Sequence, residues 1–301
     1  MHWKIKGIIQ GKLSTLPGGI TCNHVLQRYF GSMRNENYER NTFLRDITVL
    51  FSKLAPFGLD PKRSRLLEIG TGWMPVFPVS LALAGFRDIV TVDLQPHLRQ
   101  SAVKRTLRAL EMYLQHPCFL AFSGYDEVRA RYEHFIRSDN PLETMGITYR
   151  APYDAAHTDW PLEHFDVVMS NNVFEHIPSP ILLDILAEGK RLLRPGGHIL
   201  HCVNCGDHYA YADPNINQLN YLKFSSEQWN RWNNSIQYQN RLRPIDFIEM
   251  AEDRRFKIES VETSCDATRL KQLAEIVVAP EFRHYPAEQL AATSVTLIAS
   301  A

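Results

Sequence analysis

The sequence predicts an α/β protein built on a seven-stranded, mostly parallel sheet with helices on both faces. Three observations predict it. Short apolar runs alternate with helical-period segments between residues 65 and 203, the rhythm of strand–helix–strand units. The first run stops at Gly70-Thr71-Gly72 and the second at Asp93, so both end in residues that shape ligand sites. Two further runs, Phe256–Thr263 and Ser294–Ala299, close the sheet.

Taken in order, residues 1–23 read as an irregular arm ending in the turn signal Leu16-Pro17-Gly18-Gly19. From His24 to Leu54 apolar residues recur at helical spacing (Val25, Phe43, Ile47, Leu50, Leu54), with a break at Gly31. Residues 1–60 thus read as an N-terminal arm and helical cap, and 61–301 as the main domain. Within it, Arg65–Ile69 is a strand, Val79–Ala84 a helix closed by Gly85, Asp88–Val92 a strand and Leu98–Leu114 a helix. Ile147–Arg150 and Phe165–Ser170 are strands, Pro180–Leu193 is an amphipathic helix and Gly197–Val203 is a fifth strand. Pro244–Arg254 is the last helix before the closing strands. Two inserts interrupt the rhythm, at 115–146 and, after strand five, at 204–243. The second is rich in Asn, Gln, Tyr and Trp, a composition suited to covering a substrate.

Composition narrows the function classes. The chain has 301 residues, 45% hydrophobic and 22% charged, which argues against wholesale disorder. Lys+Arg and Asp+Glu both number 33, so the basic excess of a nucleic-acid binder is missing and nucleic acid is not expected as a partner. No window approaches the roughly 18–20 apolar residues of a membrane span, and the first ten residues lack the apolar core of a signal peptide. Five cysteines, an odd count, do not suggest a disulfide framework; the expected compartment is reducing and cytoplasmic.

The chemistry concentrates at the strand ends. In Leu66-Leu67-Glu68-Ile69-Gly70-Thr71-Gly72 a buried strand delivers a glycine turn whose backbone can approach a ligand closely. The acid at Glu68 repels a pyrophosphate but suits a ligand carrying an ammonium group. Met74 stands where the dinucleotide fingerprint has its third glycine, which also speaks against NAD. Asp93, about twenty residues past the turn, can accept both hydroxyls of a ribose, and it also reads as a cap for the segment after it.

These residues, with Asp154-Ala155, Phe165–Ser170, Val173-Phe174-Glu175-His176-Ile177 and Leu192-Leu193-Arg194-Pro195-Gly196-Gly197, resemble the class I S-adenosylmethionine methyltransferases over residues 65–203. The resemblance implies a Rossmann-like methyltransferase fold whose closing antiparallel pair separates it from dinucleotide dehydrogenases. It implies S-adenosylmethionine as cofactor and S-adenosylhomocysteine as product. Glu68, Gly70, Thr71 and Gly72 would line the methionine and ribose part, and Asp93 would take the ribose hydroxyls. Asp154 and the Ala155 amide would face the adenine, and Ser170 and Asn171 would floor the site. A looser resemblance, through Ser14–Gly18, Gly72–Pro75 and the insert from Asp207-His208 to Arg243, is to methyltransferases of polysaccharide or natural-product biosynthesis. It implies a sugar or another small hydroxylated acceptor. N-methylation of a small molecule, or cofactor binding without turnover, are the other readings.

A hydroxyl acceptor needs a base, and the candidates are Glu175, His176, Asp207 and His208. Glu175-His176 reads equally as a helix-opening pair, and His208 as a surface-loop histidine. Arg241 and Arg243 can clamp an anionic acceptor or pair with Asp246 or Glu249. His201-Cys202-x-x-Cys205-x-x-His208 has the look of a metal motif, but on a strand Cys202 points away from His201 and Cys205, so no metal site is expected there.

Overall fold

The computed structural model describes residues 1–30 and 37–301. Seven strands form one sheet: β1 Arg65–Ile69, β2 Asp88–Val92, β3 Ile147–Arg150, β4 Phe165–Asn171, β5 Leu193–Asn204, β6 Lys257–Thr263 and β7 Ser294–Ser300. Their order is β3-β2-β1-β4-β5-β7-β6, mostly parallel with one antiparallel pair, the Rossmann-like arrangement expected. Because β2 and β4 flank β1 in parallel, the strand order reverses at β1, and ligand crevices form at such reversals. Among the described residues no helix is long and apolar enough to cross a membrane.

The chain divides into two compact units. One comprises Ser32–Asn171, Asp184–Leu200 and Ala299–Ala301, and so contains β1 to β4 and the start of β5. In β1 and β2 the apolar residues Leu66, Leu67, Ile69, Val90 and Val92 are all buried, as expected of strands covered on both faces. The helix Val76–Ala84 is buried along its whole length and stops where Gly85 takes φ 112°, a conformation that only glycine adopts without strain. In the 115–146 insert, the helix Tyr125–Arg137 buries Val128, Tyr132 and Phe135, and its Arg131 Nε donates to the Leu83 carbonyl at 2.9 Å.

The other unit comprises Met1–Gly31, Asn172–Leu183 and His201–Ile298. Its core is aromatic, with Trp3, Tyr209, Tyr221, Trp229 and Phe282 buried together. Here the structure departs from expectation. Residues 1–23 are not irregular: helices Trp3–Ser14 and Gly19–Phe30 flank the turn that Pro17 and Gly18 mark. The first helix forms because Trp3 packs at 5.5 Å on Tyr209 and 5.2 Å on Trp232, contacts no local pattern announces. The break expected at Gly31 lies outside the described residues. β5 also begins at Leu193 rather than Gly197.

Candidate active site

The glycine turn lies at the carboxyl end of β1. Gly70 and Gly72 take φ 86° and 65°, left-handed conformations that explain why glycine is needed at both. The Gly70 amide donates to the Val92 carbonyl at 2.8 Å, tying the turn to β2. Asp93 accepts the Gly72 N–H at 2.8 Å, so its carboxylate is held against the turn. A side chain at Gly72 would meet no atom within 4 Å, so the turn borders open space where a ligand's backbone contacts can form.

Glu68 is buried on β1 and accepts the Thr91 hydroxyl at 2.5 Å; Thr91 is in turn hydrogen-bonded to Thr71. Burial pushes the Glu68 carboxyl up to about 8, against the opposing pull of the Thr91 bond and with a smaller push from the Asp93 charge. A buried acid of this kind is complemented by a cationic ligand. Asp154 accepts the Ala156 N–H at 2.9 Å and pairs with His157 at 2.9 Å. The His157 and Ala156 bonds hold its carboxyl below the usual range and leave the Asp154–Ala156 turn preformed. Ser170 is fully buried and Asn171 half-buried at the end of β4. Thr91 and His97 were not read as site residues; the His97 ring stacks on Trp73 at 4.3 Å beside the turn. All these groups belong to the unit that contains β1 to β4.

The other unit assembles Glu175, His176 and His208, whose ligand atoms lie within 4.8 Å of one another. Both imidazole Nε2 atoms approach Glu175 Oε1, at 4.0 Å from His176 and 3.9 Å from His208, too far for hydrogen bonds. His176 Nδ1 is 2.6 Å from the Tyr238 carbonyl. A carbonyl only accepts, so Nδ1 carries the hydrogen and the neutral ring presents a bare lone pair at Nε2. Burial lowers the basicity of His208 to about 3, helped by the charges of His176 and Lys6. Burial lowers His176 as well, although its side chain is 37% exposed.

Three consecutive residues brace this group. Tyr238 holds the His176 ring, the Gln239 amide oxygen accepts the His208 backbone N–H at 3.0 Å, and the Asn240 N–H donates to the Glu175 carbonyl at 2.9 Å. The Asn240 side chain also donates to the carbonyls of Phe174 and Ile177, at 2.7 and 2.8 Å. Sequence reading missed this brace, because nothing in Tyr-Gln-Asn distinguishes it from other polar loop residues. Asp207 is not in the triad: its oxygens accept the Tyr209 N–H and the Asn220 side chain, which fixes the turn carrying His208. Burial pushes its carboxyl up to about 6.

Other candidates resolve structurally. Arg243 is fully buried and donates to the carbonyls of Cys205, Gln289, Leu290 and Ala292 and to the Tyr221 hydroxyl, while Arg241 donates to Tyr221, Phe224, Ser226 and Glu281. Both guanidinium groups pin the 204–243 segment, and the acid that Arg241 meets is Glu281 rather than Asp246 or Glu249. His201 is buried and stacked on Phe174 at 4.1 Å.

Comparison with known proteins identifies the family. A family described as a methyltransferase domain matches residues 37–261, well over half of the chain. Among solved structures, a geranyl diphosphate methyltransferase in complex with S-adenosylmethionine is 15% identical, with 92% of this chain and 94% of that one covered and a TM-score of 0.48. An S-adenosylmethionine-dependent methyltransferase from Mesorhizobium loti is 14% identical, with 83% and 96% covered and a TM-score of 0.44. A search of curated proteins finds no match. The chain belongs to the methyltransferase-domain family and is an S-adenosylmethionine-dependent methyltransferase.

Proposed function

We propose that the enzyme methylates a hydroxyl of a small polar acceptor, such as a sugar or a natural-product intermediate, and that Glu175, His176 and His208 receive that hydroxyl. The observation that carries the reading is the convergence of two imidazole Nε2 atoms on one carboxylate oxygen at 4.0 and 3.9 Å. Acceptors facing one another at that spacing call for a hydrogen-bond donor between them, and an alcohol is such a donor. The cofactor, when bound, supplies a methyl group on a cationic sulfur. Glu68, Gly70, Thr71, Gly72, Asp93, Asp154, Ala155, Ser170 and Asn171 bind and orient it.

The chain's own part at the acceptor is to hold the hydroxyl and take its proton. His176 is the better proton acceptor of the two histidines, because Tyr238 fixes its tautomer and its ring reaches solvent. His208, whose basicity is lowered to about 3, orients the hydroxyl with Glu175. Asp207 acts through His208 as a positioning residue. Positioning itself supplies much of the rate in an in-line displacement.

The test is a panel of sugars and hydroxylated natural-product intermediates, assayed by S-adenosylhomocysteine release with parent, His176→Ala and His208→Ala proteins. Turnover of an alcohol by the parent that collapses in both variants supports the reading. Turnover of an amine alone, unaffected by either substitution, overturns it.

A further inference from the structure

We propose that Glu175, His176 and His208 form a binding site for a divalent first-row transition-metal ion, which holds the acceptor's oxygen. The proposal rests on the preceding reading for the acceptor's role and replaces His176 as proton acceptor by an ion that acidifies the hydroxyl, while ion binding is measured without turnover.

Two imidazole nitrogens and one carboxylate oxygen are a mixed N/O donor set that suits zinc, iron, cobalt or manganese and disfavours magnesium and calcium, which prefer all-oxygen shells. The three candidate donor atoms lie within 4.8 Å of one another, with Nε2–Oε1 separations of 4.0 and 3.9 Å. Metal–ligand bonds of about 2.0–2.2 Å place such atoms about 3–4 Å apart, so the donors close in by up to about 1 Å around an ion, a movement within reach of side-chain rotation. The separations suit a bridging ion better than direct hydrogen bonds, for which they are too long.

The tautomer points the same way. The Tyr238 carbonyl takes the Nδ1 hydrogen of His176 and turns a bare Nε2 lone pair toward the Glu175 oxygen. A lone pair facing a carboxylate is repulsive unless a cation or a donor lies between them. His208 Nε2 is buried with no hydrogen-bond partner among the described residues, and it faces the same oxygen. Metal-bound histidines regularly give their other ring N–H to a carbonyl, and His176 already does so.

The surrounding frame is built to hold three donors in place. Tyr238, Gln239 and Asn240 each anchor one of them, through the His176 ring, the His208 backbone and the Glu175 backbone. The donors come from a turn after β4 and a turn after β5, so the brace fixes the distance between segments that sequence separates by more than thirty residues. Asn172, whose φ is 54°, starts the first of these turns, a left-handed conformation that asparagine tolerates better than most residues.

Three protein donors leave coordination positions open, the arrangement of catalytic rather than structural metal sites. An alcohol oxygen in one of them loses its proton to solvent more readily. Its lone pair then forms the new C–O bond as the C–S bond breaks, and the C–S electron pair stays on sulfur. The products are a methyl ether and the neutral thioether S-adenosylhomocysteine. With the ion bound, the imidazoles serve as ligands and the ion takes over acidification of the hydroxyl.

The experiment uses the full chain, stripped with chelator and titrated with Co2+ as a spectroscopic probe, with Zn2+ and Mg2+ as competitors. The expected result is one equivalent of Co2+ per chain with visible ligand-field bands, displaced by Zn2+ and untouched by excess Mg2+. His208→Ala and Glu175→Gln lose the bands. Gln239→Ala, which leaves all three donors in place, weakens Co2+ by about 10–100-fold. A His284→Ala control, at a histidine that packs on Tyr285 and is not one of the three donors, binds as the parent does, and circular dichroism of each variant verifies that it is folded. Absence of bands in the folded parent, or bands that survive His208→Ala, overturns the site. If Co2+ binds as predicted and the alcohol panel still gives no product, the site stands and the acceptor reading falls.

Discussion

The glycine turn after β1 and the Glu175–His176–His208 cluster are built by opposite means. The turn works through backbone: Gly70 and Gly72 in left-handed conformations, one tied to β2 and the other held by the Asp93 carboxylate, with a single buried acid beneath. The cluster works through side chains brought from two turns and aligned by a third segment, 238–240. A backbone site is written in a few consecutive residues, whereas a side-chain site is written in the tertiary structure. The two regions should therefore respond to substitution in separable ways: changes at the turn act on cofactor affinity, and changes at the cluster act on turnover.

The largest effect is expected at the cluster. His176→Ala and His208→Ala should each lower kcat by about 10²–10⁴-fold, the range that a positioned proton acceptor contributes, with cofactor affinity within about twofold of the parent. Radiolabel transfer from S-adenosylmethionine alongside equilibrium binding checks this. A fall in affinity that matches the fall in kcat would dissolve the distinction between the regions.

Next is Asp93→Ala. If Asp93 accepts the ribose hydroxyls as proposed, its removal should weaken S-adenosylmethionine by about 10–100-fold, following the roughly 1.5–3 kcal/mol typical of hydrogen bonds to charged groups. The acceptor's KM should stay unchanged, and calorimetry with steady-state kinetics reads both.

Arg243→Met sharpens the comparison from the side of stability. The guanidinium is fully buried against carbonyls and a tyrosine hydroxyl, so its loss leaves several buried acceptors unsatisfied at about 1–3 kcal/mol each. Thermal unfolding should show a clear drop, with turnover lost through the displaced 204–243 segment while cofactor affinity in the still-folded fraction holds.

The smallest effect is a proton count. Glu68, pushed up to about 8, is mostly protonated at about pH 7, and an ammonium brought beside it lowers that value. Cofactor binding should then release up to about one proton, seen as a dependence of the binding enthalpy on buffer, and Glu68→Gln should abolish it. The sign for stability follows from a folded value raised above the unfolded one. Stability relative to Glu68→Gln is intact below the ordinary glutamate range and is lost as pH rises through about 8. Melting curves at about pH 5 and about pH 9 should show the variant gaining on the parent.

The same contrast explains what could be read from sequence. β1, β2 and β4 were legible because buried parallel strands are short, mostly apolar runs bounded by turns, and Gly70, Gly72 and Asp93 follow the first two. Of the two N-terminal helices the first was not legible and the second only from His24 onward. The first of them, Trp3–Ser14, depends on Trp3 entering an aromatic core built from residues more than two hundred positions away. At the site, Glu175, His176 and His208 were legible as residue types near strand ends, but their convergence was not. Arg241 and Arg243 read either as anion clamps or as salt-bridge partners of Asp246 or Glu249, and only the carbonyls around them reveal which structural role they take. The Tyr238–Asn240 brace left no signal, since its work is done through backbone and amide groups that any polar loop offers.

The most direct test of the separation is calorimetric titration of S-adenosylhomocysteine into four folded proteins: parent, Asp93→Ala, His176→Ala and His208→Ala. The account predicts that only Asp93→Ala weakens binding, by about 10–100-fold, and that both histidine variants match the parent within about twofold. Equal weakening in the histidine variants would place the cluster in the cofactor site and contradict the division of labour between turn and triad.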